Sequence, residues 1–119
     1  MGYRSDIEIV CRESAYKELS EMEEINFFRP GALFEPKTKL YRIIIEWVKW
    51  YPEYEEVQKI ERKLDELSLK AETNPEFEFV FARMGEDDSD YEERNCCNYN
   101  FVSDYVRQFQ LPDGLEEIK

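Results

Sequence analysis

The run Leu40-Tyr41-Arg42-Ile43-Ile44-Ile45-Glu46-Trp47-Val48, leading through Lys49-Trp50-Tyr51-Pro52 into the charged stretch from Glu53 to Leu67, decides how this chain folds. Tyr41, Ile43, Ile45 and Trp47 alternate with Arg42, Ile44, Glu46 and Val48, one strongly apolar face against one mixed face, which is the period of a strand. Past Tyr51 the period lengthens. Tyr54, Val57, Ile60, Leu64 and Leu67 fall three or four apart, Glu53, Glu55 and Glu56 load a first turn with negative charge, and Pro52 suits a first helical position. A strand that passes directly into an amphipathic helix predicts a helix lying back on a sheet. On a regular strand Trp47 then belongs to the core, and Trp50 joins Ile44 and Val48 on a second apolar surface, open to a partner or covered by the tail.

Upstream, Ile7, Ile9 and Cys11 alternate with Glu8, Val10 and Arg12, which predicts a first strand over 6–12. Ser14 is placed as an N-cap, and Ala15, Leu19, Met22 and Ile25 form one stripe of a helix ending near Asn26, with Glu18, Glu21, Glu23 and Glu24 on the other face. Residues 27–34 are apolar but interrupted by Pro30 and Gly31, an edge strand or loop that can pair with the 40s strand. Downstream, Phe77, Phe79 and Phe81 share one face of a core strand. In the Glu86–Glu93 loop that follows, only Ser89 and Tyr91 are uncharged, so this segment cannot be buried. Phe101, Val102, Tyr105, Val106 and Phe109 can form a last strand or helical turn, and 111–119 reads as a frayed tail. The order predicts a single α+β domain over 1–119, a mainly antiparallel sheet with two helices on one face, ferredoxin-like or a related sandwich.

At 119 residues the chain can bury roughly two-thirds of its unfolded surface. Its 15% aromatic content lets apolar burial offset chain entropy in spite of 37% charged residues. The net charge of −12 repels phosphate backbones and anionic membranes and favours basic partners, among them proteins whose normal ligand is nucleic acid. The chain has no histidine, which excludes Cys–His and Ser–His–Asp catalysis and histidine-containing zinc sites. Cys11, Cys96 and Cys97 are odd in number, and the adjacent pair does not bridge within ordinary geometry. With no signal-like or long apolar run, reduced thiols in the cytoplasm are expected.

Met1-Gly2-Tyr3-Arg4-Ser5-Asp6, Val48-Lys49-Trp50-Tyr51 before a helix, and Ala82-Arg83-Met84-Gly85-Glu86-Asp87 followed by acids resemble a group of small acidic proteins of phages and prophages. The resemblance implies a viral context in a host cytoplasm, where inhibitors of host defence, anti-CRISPR proteins included, are a common class. It carries no catalytic residues, and Asn95-Cys96-Cys97-Asn98 departs from the group's pattern.

Candidate chemistry thins out on inspection. An EF-hand starting at Asp88 fails, because Glu93 stands where glycine is required and Tyr99 where a bidentate carboxylate belongs. N-myristoylation at Gly2 fails at Asp6, and no glycine-rich phosphate loop exists. Neither cofactor, metal nor catalytic constellation is expected. The expected function is inhibition of a host defence component by binding its basic, nucleic-acid-binding surface through Glu86, Asp87, Asp88, Asp90, Glu92 and Glu93, with helix-one acids in support and Trp50 as the apolar contact. The competing reading is a non-catalytic accessory protein that forms a homodimer through the Ile44, Val48 and Trp50 face. Direct contact with nucleic acid or membrane is not expected in either.

Overall fold

The computed structural model describes residues 3–37, 39–87, 89–95 and 116–117. Asp88, Cys96, Cys97 and the expected element across 101–109 lie outside the described residues, as does most of the tail. Six strands form one sheet: β1 (Ser5–Cys11), β2 (Gly31–Glu35), β3 (Leu40–Val48), β4 (Phe79–Gly85), β5 (Tyr91–Asn95) and β6 (Glu116–Glu117), in the order β5-β4-β1-β3-β2-β6. Every neighbouring pair is antiparallel. Among the described residues three α-helices, α1 (Glu13–Ser20), α2 (Glu23–Phe27) and α3 (Glu55–Ala71), accompany the sheet in an α+β arrangement. The inner order β4-β1-β3-β2, with helices after β1 and β3, is the ferredoxin-like connectivity expected from the sequence.

The core forms where the odd-numbered residues of three strands meet the helices. Ile7, Ile9 and Cys11 of β1, Ile43 and Ile45 of β3, and Phe79 and Phe81 of β4 pack with Ala15, Leu19 and Ile25 and with Val57, Ile60, Leu64 and Leu67 of α3. All the helices therefore cover one face. Each of these large side chains contributes about 1.5–3 kcal/mol by leaving water. Glu18 of α1 fastens α1 to α3 by ion pairs to Lys63 (2.8 Å) and Lys70 (2.9 Å). The middle of the opposite face is closed as well, since Glu8, Val10, Arg42, Val80 and Ala82 are all buried.

Several expectations need correction. The single first helix is two short ones broken at Glu21 and Met22, and the residue that caps α1 is Arg12, not Ser14. Pro52 sits in the turn before α3, which starts at Glu55, and Phe77 belongs to a 3-10 turn over Pro75–Phe77, so β4 begins two residues later. Within the tail that was read as frayed, Glu117 and Glu116 pair with Leu33 and Phe34.

The largest departure lies in β3. Ile7 pairs with Ile45, but Ser5 pairs with Val48, so Glu46 and Trp47 together stand opposite the single residue Asp6. This extra residue is a β-bulge, and a bulge reverses the inside-outside alternation beyond it. Trp47, expected in the core, is 58% exposed. Trp50, expected on the second surface as a partner contact, is 7% exposed and packs at ring-centroid distances of 5.6 Å from Phe28 and 5.9 Å from Phe81. Val48 is drawn against the core with it, and the expected Ile44, Val48 and Trp50 surface does not exist as a face.

Candidate binding end of the sheet

The starts of β1, β2 and β5 and the ends of β3 and β4 lie at one end of the sheet, as the pairs Ser5 with Val48, Ser5 with Gly85 and Met84 with Tyr91 require. The N-terminus of α3 and the C-terminus of α2 connect into the same end. Loops gathered at one end of a rigid sheet are where binding residues are commonly found.

The acidic segment is not the extended, self-repelling loop its composition suggests. β5 takes up Tyr91–Asn95, pairing Arg83 with Glu92 and Phe81 with Arg94, so the connection from β4 is a tight hairpin turn. Arg83 binds Asp90 through Nη2 (2.8 Å) and Nη1 (3.1 Å), and Glu92 through Nε (2.9 Å). The Tyr3 hydroxyl donates to Asp90 Oδ2 (2.7 Å) and accepts from the Asp87 backbone N–H (3.1 Å). These contacts, Arg83 first and Tyr3 second, lower the Asp90 carboxyl to about 2. Asp87 accepts from the backbone N–H (2.9 Å) and the hydroxyl (2.8 Å) of Ser89, the first of which chiefly holds it below its usual range. The Arg4 backbone N–H donates to Glu86. Arg94 reaches α3 through Glu61 and Asp65.

The predicted partner residues therefore fall into two groups. Asp90 and Glu92 are spent on Arg83, while Glu86 and Asp87 are exposed and have no ion pair among the described residues. Glu93 is exposed and accepts a long bond from the Tyr91 hydroxyl (3.3 Å). Of the helix-one acids, Glu18 is committed to lysines and Glu24 pairs with Lys59.

Sequence reasoning named Glu86 and Asp87 but missed Asp6, Glu46, Glu53 and Glu56, which lie at the same end. Asp6, Glu46, Glu53, Glu56, Glu86 and Asp87 at this end have no ion pair among the described residues, against Arg4, Arg29 and Lys49 as cations in the same condition. The end is thus net acidic. It also carries the bulge, whose Trp47 holds φ 56°, a left-handed conformation that is a rarity for a bulky side chain. Two bonds hold it there: the Trp47 N–H donates to Asp6 Oδ1 (2.8 Å), and Arg4 Nη1 donates to the Trp47 carbonyl (3.3 Å). Beside it runs a groove of about 440 Å³ lined by Arg4, Phe27, Phe28, Val48, Lys49, Tyr54 and Glu56. Phe27 is 66% exposed.

Among the described residues no three His, Cys, Asp or Glu side chains are grouped to hold a metal ion, and no helix is long and apolar enough to cross a membrane. Comparison with protein-family models, with curated proteins and with solved structures finds no match.

Proposed function

We propose that this chain is a non-catalytic binding protein whose acidic sheet end engages a basic, nucleic-acid-binding surface of another protein. In the viral setting implied by its resemblance to phage proteins, the partner is a component of host defence and the effect is inhibition, anti-CRISPR inhibition being the specific form. The observation that carries this reading is that six carboxylates at one end of the fold, against three cations, have no ion pair among the described residues, with Asp6, Glu86 and Asp87 held in place by hydrogen bonds from Trp47, Arg4 and Ser89. Charge held on a rigid frame loses little entropy on association, and complementary charge speeds encounter with a basic surface. The competing homodimer reading loses its surface, because Trp50 lies in the core and Val48 packs against it.

The test is a charge-reversal variant that spares the acids bonded within the hairpin: Glu46 and Glu53, both exposed, changed to Lys. Exposed charges contribute little to stability, so melting should change little. Binding of basic host proteins, captured at low salt and displaced by competing nucleic acid, should be lost, and capture by the natural chain should weaken steeply with salt. A folded variant that captures the same proteins at the same salt refutes the proposal.

A further inference from the structure

The bulge places a carboxylate and an indole side by side at the surface, since Glu46 and Trp47 are consecutive and both exposed where a regular strand would bury one of them. Holding a tryptophan at φ 56° costs the fold free energy, as does leaving its ring in water, and a glycine would take that backbone conformation without strain. Asp6 and Arg4 bond the two peptide groups flanking its Cα, and the side chain stays 58% exposed. The strain therefore fixes where an unoccupied aromatic ring is displayed.

We infer that Trp47 with Glu46 is a docking point for an arginine side chain of the basic partner, the guanidinium stacking on the indole face while Glu46 accepts its N–H groups. This rests on the acidic-end reading above. The chemistry is complementary on both counts: the ring face attracts a planar, weakly hydrated cation, and the surrounding end is net acidic. Lysine, a compact and strongly hydrated charge, gains less from the ring.

The experiment uses the Trp50→Phe chain, in which Trp47 is the sole tryptophan, titrated with an arginine-rich peptide and with a lysine-rich peptide of equal length and charge. The arginine peptide is expected to perturb Trp47 fluorescence saturably and to bind more tightly than the lysine peptide. Calorimetry on Trp47→Ala in the otherwise natural chain is expected to show the arginine peptide weakened roughly fivefold to tenfold, towards the lysine value. Trp47→Gly should do the same with a melting temperature no lower than that of the natural chain, which separates lost contact from lost fold. Equal binding of both peptides with no effect of Trp47→Ala overturns the docking point and leaves the acidic-end reading standing. No binding of either peptide overturns both.

Discussion

Glu8 offers the sharpest test of the packing. It sits on the central strand, fully buried, and neither carboxyl oxygen has a hydrogen-bond partner among the described residues. Its nearest cation is Arg42, with Nε 3.5 Å from Oε1. Burial raises its carboxyl from the usual 4.5 to about 7, with Arg42 offsetting only part of that effect. Because the folded value lies above the unfolded one, the protonated form favours folding. The contribution is fully present below the unfolded value and is lost as pH rises through about 7. The interval corresponds to about 3 kcal/mol, a large share of a small domain's stability. Glu8→Gln keeps the shape and cannot ionise. It should match the natural chain near pH 4.5 and exceed it by about 2–3 kcal/mol near pH 8, read from urea unfolding followed by circular dichroism across that range. Equal pH slopes for the two proteins, or a variant weaker at every pH, would refute the burial argument.

Phe79→Ala, at a fully buried site, should cost about 3–5 kcal/mol in denaturant unfolding. Gly85→Ala would bring a Cβ to 2.2 Å from both Asp90 Oδ2 and the Tyr3 hydroxyl. It should displace those flexible groups, loosen the hairpin and lower the melting temperature by the worth of about one hydrogen bond, roughly 1 kcal/mol. Asp90→Asn should be less stable than the natural chain near neutrality, with the difference closing as pH falls through about 2, where Asp90 itself protonates. EDTA should leave the melting curve unchanged, a drop instead reviving a cation site among the acids.

The strand and helix around residues 40–67 were legible because their periods are long and clean, and so was the β, α, β, β, α, β order. What the sequence concealed were events with no local marker. The bulge is held by Asp6, 41 residues away, bonding the Trp47 N–H, and no glycine at 46–48 announces it, so the two tryptophans exchanged places. The helix break at Glu21 and Met22 likewise lacks a proline or glycine. The charges of β5 suggest a loop, yet an edge strand is where charge is tolerated, and here Glu92 is paired with Arg83 and Arg94 with Glu61 and Asp65 of α3. Counting acids in the sequence points to the β4–β5 turn. Only the geometry separated those ion-paired with Arg83 from those with no ion pair among the described residues.

The position of β1 bears on how the chain reaches its fold. The first strand made is the central one, and its partners arrive late: Cys11 waits for Tyr41 on one side, and Ser5 for Gly85 on the other. No stable sheet can close on β1 until most of the chain has been synthesised, and pairings this distant slow folding by demanding loop closure before contacts reward it. Until then the apolar β1, with Ile7, Ile9 and Val10, has two unsatisfied edges, whereas the β2–β3 hairpin can form locally. Refolding should accordingly begin from β2, β3 and α3 and be limited by the docking of β1 between β3 and β4.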